Sequence, residues 1–451
     1  MDAESYRALV REQMATEWPV PIMRDDVIRQ LPQPARYNTV HIITGMRRSG
    51  KTFYLFQLMH HLAENGTPRE RLFYFDFSDS RLRPLDDDAA DLVLDEYWRQ
   101  APRARDEGCY LFLDEVQELH DWQGFCQRVA EHERVTLVIT GSSSKVSSDE
   151  IATNFRGRSH VHTMWPLSFS EFCRFHSIPL PESGQDAFSP QERTRYEAAY
   201  DEYLVCGGFP GVQDKLVPDR IEILQGYVRD VVARDVAERA GRAEVALAMQ
   251  LALFALRNTA CEISSNDMVK RLEAAGYKAY WEKVRQLLGL LEQAYLVHTV
   301  NPYSTALLAR TTAVSKIYAE DPGLVYAVSR ASQQDVGKRL ETAVFIELAR
   351  RCAGRRTDTI TSLTIPGARA EKVDFLVGDA LGIEPYELMQ VSADMTAEKT
   401  RRREFGSLEA GMRTTSLERG TIVTLREQGT FAVASGKVEV VPAWLWSLGL
   451  S

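Results

Sequence analysis

Gly45-Met46-Arg47-Arg48-Ser49-Gly50-Lys51-Thr52 is a complete G-x-x-x-x-G-K-[ST] phosphate loop, placed at the end of the apolar run Thr39-Val-His-Ile-Ile-Thr44. Gly45 and Gly50 let the backbone curl, so that the amides of the loop, Met46, Arg47, Arg48 and Ser49 included, point inward at phosphate oxygens. Lys51 brings a cation to the β- and γ-phosphates. Thr52 opens a helix over 52–65, which adds a positive helix end, and its hydroxyl suits Mg²⁺. A strand before the loop and a helix after it are the context the motif requires, so the reading is of a site for ATP or ADP with Mg²⁺.

A second acidic signature lies about sixty residues on. Cys109-Tyr-Leu-Phe-Leu-Asp114-Glu115 is a buried strand with two carboxylates at its tip. Asp114 is the expected metal ligand beside Thr52, and Glu115 the group that polarises the attacking water. Val135-Thr-Leu-Val-Ile-Thr140-Gly-Ser142-Ser143-Ser144 is a third strand with a polar tip, where Thr140 or Ser142 can sense the γ-phosphate. Asn154-Phe-Arg156-Gly-Arg158 precedes the last strand of this set. Arg158, ahead of Arg156, is the candidate arginine finger, in cis or from a neighbouring subunit of a homo-oligomer; a solvated arginine pair is the competing reading. Arg234 is a weaker candidate, because the surrounding acids favour ion pairing within its helix.

These runs set the fold class. The strand candidates Val40–Gly45, Leu72–Phe77, Tyr110–Val116, Val135–Gly141 and Val161–Met164 alternate with helical stretches near 52–65, 86–101, 122–132 and 148–155. Near-continuous apolar strands separated by helices indicate an α/β fold with a parallel sheet covered on both faces. Residues 1–36 read as an N-terminal helix and linker, and 37–168 as the core. A helical segment follows over 169–245, and over 246–332 a helical module closes with short strands. Residues 333–451 begin with a helix and continue as strands.

The chain has 451 residues, 44% hydrophobic and 26% charged, with net charge −9. That is a globular composition long enough for several domains, and its acidity argues against a uniformly basic nucleic-acid binder. The six cysteines are scattered without a C-x-x-C pair. This usage fits a reducing, cytoplasmic setting and gives no zinc or disulfide signal. The start lacks a signal-peptide core, and there is no run of about eighteen apolar residues, so no membrane partner is expected.

The phosphate loop, the Leu-Phe-Leu-Asp-Glu strand, the Ile-Thr-Gly-Ser-Ser strand and the Arg158…Trp165-Pro-Leu-Ser-Phe-Ser-Glu-Phe172 run resemble a family of stand-alone bacterial and archaeal ATP-binding proteins. That family is related to the AAA+ and STAND ATPases. Tyr203-Leu-Val-Cys-Gly-Gly-Phe-Pro210 and Lys316-Ile-Tyr-Ala-Glu-Asp-Pro-Gly323 match it as well. The resemblance implies an AAA-type P-loop core, a helical lid (169–245), a winged-helix module (246–332) and a C-terminal domain similar to restriction endonucleases (333–451).

A nuclease of that class needs acids for Mg²⁺ and a lysine beside the attacking water. Glu341 and Asp374 are present, but Gln390-Val-Ser392 stands where Glu-x-Lys belongs, so a nuclease-like shape without cleavage is expected. For DNA, Tyr277–Arg285 is the candidate recognition helix, with Lys278, Lys283 and Arg285; Tyr280 and Trp281 are expected in the module's core. Basic patches at 350, 351, 355, 356 and 399–403 add candidate phosphate contacts. The reading is an ATPase coupling hydrolysis to domain motion, on fork or junction DNA. A nucleotide-dependent switch acting on a protein partner is the alternative, and an active ATP-coupled nuclease a third.

Overall fold

The apolar runs around the phosphate loop form one parallel five-stranded sheet in the computed structural model, which describes residues 3–25, 27–141, 155, 157–182, 187–303, 314–328, 333–353, 358–365, 371–379 and 385–450. The strands are β1 Val40–Thr44, β2 Leu72–Asp76, β3 Cys109–Asp114, β4 Val135–Thr140 and β5 Ser159–Thr163, in the order β2-β3-β4-β1-β5. Every side chain of β1, β3 and β4 is buried, because helices cover both faces. On one face α1 Ala3–Ala15, α3 Ala89–Gln100 and α5 Trp122–His132 pack Tyr6, Val93, Tyr97, Phe125 and Val129 against Leu111 and Leu137. On the other, α2 Lys51–Glu64 packs Tyr54, Leu55 and Met59 against Phe112 and Val138. Each such side chain contributes about 1.5–3 kcal/mol through burial; Phe112→Ala would cost roughly 3–5 kcal/mol. The short α4 Pro102–Glu107, with proline at its first position, leads into β3.

The chain divides into two compact units, Met1–Met164 and Trp165–Ser451. Residues 1–36 belong with the first. Ile28 lies in its core, and the Tyr54 hydroxyl accepts hydrogen bonds from the backbone N–H of Val27 (3.0 Å) and Ile28 (2.9 Å). The segment thus docks on α2.

The second unit starts with α6 Phe169–Phe175 and α7 Pro190–Cys206, each opened by a capping box (Ser168 with Glu171, Ser189 with Glu192). Then come α8 Val217–Asp230, a π-helical turn Val231–Val236 and α9 Val245–Arg257. Strand β6 Cys261–Ile263, α10 Ser265–Ala274, α11 Trp281–Gln293, β7 Val297–Val300 and β8 Ser315–Ala319 form a helical module with an antiparallel sheet ordered β6-β8-β7. After α12 Pro322–Val328 and α13 Val336–Ala353 comes a second mixed sheet. Its strands are β9 Asp358–Ile365, β10 Glu371–Asp379, β11 Pro385–Ser392, β12 Arg419–Thr424, β13 Gly429–Val433 and β14 Gly436–Pro442, ordered β13-β14-β12-β11-β10-β9. Helix α14 Glu398–Thr415 makes the crossover between the parallel strands β11 and β12.

Two sequence motifs meet here. The buried Asp321 carboxylate accepts from the N–H of Gly208 (2.6 Å), Gly323 (2.8 Å) and Leu324 (3.3 Å). A Cβ at Gly207 would stand 1.9 Å from that carboxylate, so glycine is required.

Candidate nucleotide site

The phosphate loop leaves the carboxyl end of β1, the edge where open α/β sheets bind ligands. Gly45 has φ 144°, and a Cβ there would lie 2.2 Å from the Met164 carbonyl oxygen; Gly50 has φ 103° and precedes the first residue of α2. Both positions therefore need glycine. Lys51 is buried, and its Nζ donates to the carbonyls of Gly45 (3.1 Å) and Met46 (3.2 Å), which folds the ammonium into the loop it serves. Met46 and Ser49 are buried, Arg47 is half-buried and Arg48 exposed; the Ser49 hydroxyl is buried without a hydrogen-bond partner.

Beside the loop, β3 delivers Asp114. Its carboxylate is buried and accepts from the hydroxyls of Thr140 and Tyr74, the latter at 3.1 Å. Burial pushes its carboxyl up to about 6, against the Thr140 and Thr52 hydroxyls, with Glu115 and Asp76 adding to the rise. Asp76 faces Asp114 across β2 and β3 and is raised as well, chiefly by burial. Glu115 turns the chain at φ 50°, in the left-handed region that costs a non-glycine residue about 1 kcal/mol. Its backbone N–H donates to Thr140 Oγ1 at 3.1 Å, and the Gln117 amide holds its carboxylate. One hydroxyl, Thr140, thus ties both acids of the strand end to β4.

The oxygen donors Thr52, at the start of α2, and Asp114, at the end of β3, both belong to the carboxyl edge of the sheet. Hydroxyl and carboxylate are the donor types Mg²⁺ takes, so the residues present fit that ion. Among the described residues no group of three or more His, Cys, Asp and Glu is arranged to hold a metal by itself.

Arg158 is not brought to this site. It precedes β5 at the amino end of the sheet, where its carbonyl accepts from Val40 N–H (3.0 Å) and its guanidinium pairs with Glu131 (3.1 Å). The phosphate loop lies beyond the opposite end of β1, about 16 Å of strand away. The expectation of a finger in cis is corrected on that ground. Ser142 and Arg156 lie outside the described residues, as does most of the helix expected over 148–155. Arg234 is exposed on the π-helical turn of the second unit.

Two site residues escaped the sequence reading. The Arg24 guanidinium donates to the Ser49 carbonyl at 2.9 Å, and Arg24 and Gln57 exchange backbone–side-chain hydrogen bonds at 2.7 and 2.9 Å. The N-terminal segment therefore braces the phosphate loop. A lone arginine in a proline-rich linker carries no periodic signal.

The DNA expectations change in detail. Tyr280 and Trp281 are 58% and 43% exposed, so they are not core: both stand at the start of α11, which turns its Val284, Leu287 and Leu291 inward instead. Lys283 is paired with Glu244 at 3.1 Å, and Arg285 lies 4.8 Å from the Trp281 ring. Arg350 and Arg351 are held by Glu347 and by the carbonyls of Pro166 and Trp446. Arg355 and Arg356 lie outside the described residues. No helix among the described residues is long and apolar enough to cross a membrane.

An uncharacterized protein of Methanocaldococcus jannaschii is 29% identical over 95% of this chain and 91% of its own length. One of Haemophilus influenzae is 28% identical over 73% of this chain and 79% of its own. A solved Walker-type ATPase of Pyrococcus abyssi aligns with TM-score 0.38 and 12% identity, over 72% of this chain and 95% of that one. Residues 197–335 match a family described as a domain of unknown function, and residues 37–173, which hold the phosphate loop and all five strands, match the family described as AAA domain.

Proposed function

We propose that this chain is a Mg²⁺-dependent ATP hydrolase. The observation that carries the reading is that the phosphate loop, with Lys51 folded against its carbonyls, and the buried Asp114, held by Thr140, stand at the carboxyl ends of parallel strands of one sheet. The loop amides from Gly45 to Gly50 and the Lys51 ammonium bind the phosphates. Thr52 and Asp114 are the donors for Mg²⁺, which when bound neutralises charge on the phosphate oxygens. Glu115 orients the attacking water and accepts its proton as the bond from the γ-phosphorus to the ADP oxygen breaks. Thr140 positions Glu115 through its backbone and Asp114 through its carboxylate. The test is ATP turnover by the full chain in Mg²⁺ and in EDTA. Turnover that vanishes in EDTA is expected, and equal rates in both would sink the reading.

The use of that cycle is read as DNA-associated remodelling in the cytoplasm. Residues 169–245 serve as a helical lid, 246–332 as a winged helix and 333–451 as a nuclease-like domain without cleavage. The exposed Tyr280–Trp281 pair with Arg285 beside it favours this reading, since aromatic rings and a guanidinium suit bases and phosphates. A switch acting on a protein partner is the second reading, supported by the net charge of −9. ATPase stimulation by forked or junction DNA that fades as salt rises separates the two.

A further inference from the structure

Strand β8 lies in the three-stranded sheet, yet the Lys316 side chain ends between Asp374 of the C-terminal sheet and Glu341 of α13. Its Nζ donates to Asp374 Oδ1 at 2.6 Å and to Glu341 Oε1 at 3.0 Å. Tyr318, two residues on and so on the same face of β8, donates its hydroxyl to that Glu341 oxygen at 2.8 Å. Asp374 lies where the β9–β10 register shifts, between Val373 and Leu376, and such an irregularity re-aims a side chain.

Asp374 and its neighbours carry further hydrogen bonds. Asp374 Oδ2 accepts from Val391 N–H at 3.0 Å. Gln390 accepts from Asp374 N–H at 3.2 Å and donates to Glu404 Oε2 at 2.7 Å, while the Arg403 guanidinium donates to Glu404 Oε1 at 3.0 Å. Lys316, Asp374, Gln390 and Glu404 are all buried. Burial works against the charged Lys316, but Asp374 and Glu341 more than compensate and raise its pKa.

We propose that Lys316 is the resident cation of the C-terminal sheet: its ammonium takes the place between Glu341 and Asp374 that a divalent ion would need. A Mg²⁺-type ion needs several free oxygens in near-octahedral array. Here both Asp374 oxygens are held by N–H donors, and position 390 is an amide. The cluster is an internal strut rather than a hydrolytic centre, independently of how the nucleotide site works. Neighbouring links run the same way. Tyr303 N–H donates to the Ser362 carbonyl (2.7 Å) and Ser362 N–H to the Asn301 carbonyl (3.0 Å), while Lys372 pairs with Glu262. The three-stranded sheet and the C-terminal sheet are therefore linked, with Lys316 as the buried charge at the joint.

The test uses full-length protein without nucleotide, with Mn²⁺ as the probe ion. Melting temperature is measured in Mn²⁺ and in EDTA, and bound Mn²⁺ is counted by electron paramagnetic resonance. Wild type should melt alike in both. Lys316→Met should melt earlier in EDTA, recover in Mn²⁺ and take up about one extra Mn²⁺ per chain, through the vacated carboxylate pair. Lys316→Met/Asp374→Asn should lose that uptake. A folded Lys316→Met with no added Mn²⁺, or a wild type stabilised by Mn²⁺ through Asp374, overturns the proposal. If Lys316→Met does not fold, the charge-compensated Lys316→Met/Glu341→Gln/Asp374→Asn decides. Its recovery as folded protein supports the strut, and its failure overturns it.

Discussion

Thr140 donates its hydroxyl hydrogen to the Asp114 carboxylate, and the same oxygen accepts the Glu115 backbone N–H at 3.1 Å. One buried atom on β4 thus sets both acids at the end of β3. Thr140→Val keeps the shape and deletes the hydroxyl, leaving the Glu115 N–H unpaired and the Asp114 oxygen short of a donor. Unfolding free energy should fall by about 1–3 kcal/mol. ATP turnover should drop roughly ten- to hundredfold while ATP affinity changes little, since the role proposed for Glu115 is on the water and not on the phosphates. Turnover near wild type would remove Thr140 from the site.

Lys51 and Glu115 should separate binding from chemistry. Lys51→Ala deletes the cation that lies against the Gly45 and Met46 carbonyls, and nucleotide binding should fall below detection in calorimetry. Glu115→Gln keeps the hydrogen-bonding shape but cannot take a proton, so ATP should remain bound unhydrolysed, with kcat lowered on the order of 10²–10⁴-fold. An unaltered kcat would release Glu115 from its assigned part.

The parallel sheet was legible because its signals are local. The loop and the runs before Asp114 and Thr140 each fit in ten residues or fewer, and burial on both faces writes itself as unbroken apolar sequence. Partnerships across the chain were not. Arg24 meets Gln57 across 33 residues and Lys316 meets Asp374 across 58, and nothing in either local pattern names the partner. Tyr280 and Trp281 show the converse: aromatic residues suggest a core, but Tyr280, just before α11, and Trp281, its first residue, are exposed. Arg158 is close in sequence to β5, but the amino end of a parallel strand is the end remote from the phosphate loop.

Arg158→Ala should therefore leave turnover of the dilute chain unchanged. Its guanidinium is half exposed and paired with Glu131, a contact worth about 0–1 kcal/mol in stability. Turnover is best measured across a range of protein concentrations. A loss confined to high concentration would mean that Arg158 reaches the site of a second copy, and a loss at every concentration would contradict its place at the far end of the sheet.

Asp321 gives a prediction in pH. Burial pushes its carboxyl up to about 7, although the N–H groups of Gly208, Gly323 and Leu324 favour the charged form. In the unfolded chain the group titrates near 4. Between these values the folded chain holds a proton the unfolded chain has released, so stability from this group is full below about pH 4 and declines until about pH 7. Asp321→Asn cannot ionise and keeps an acceptor for part of the turn. The melting difference between wild type and Asp321→Asn should favour wild type at pH 5 and shrink by pH 8, by an amount on the order of a few kcal/mol. A difference that stays constant with pH would mean that the carboxylate remains ionised in the fold, with the three amides outweighing its burial.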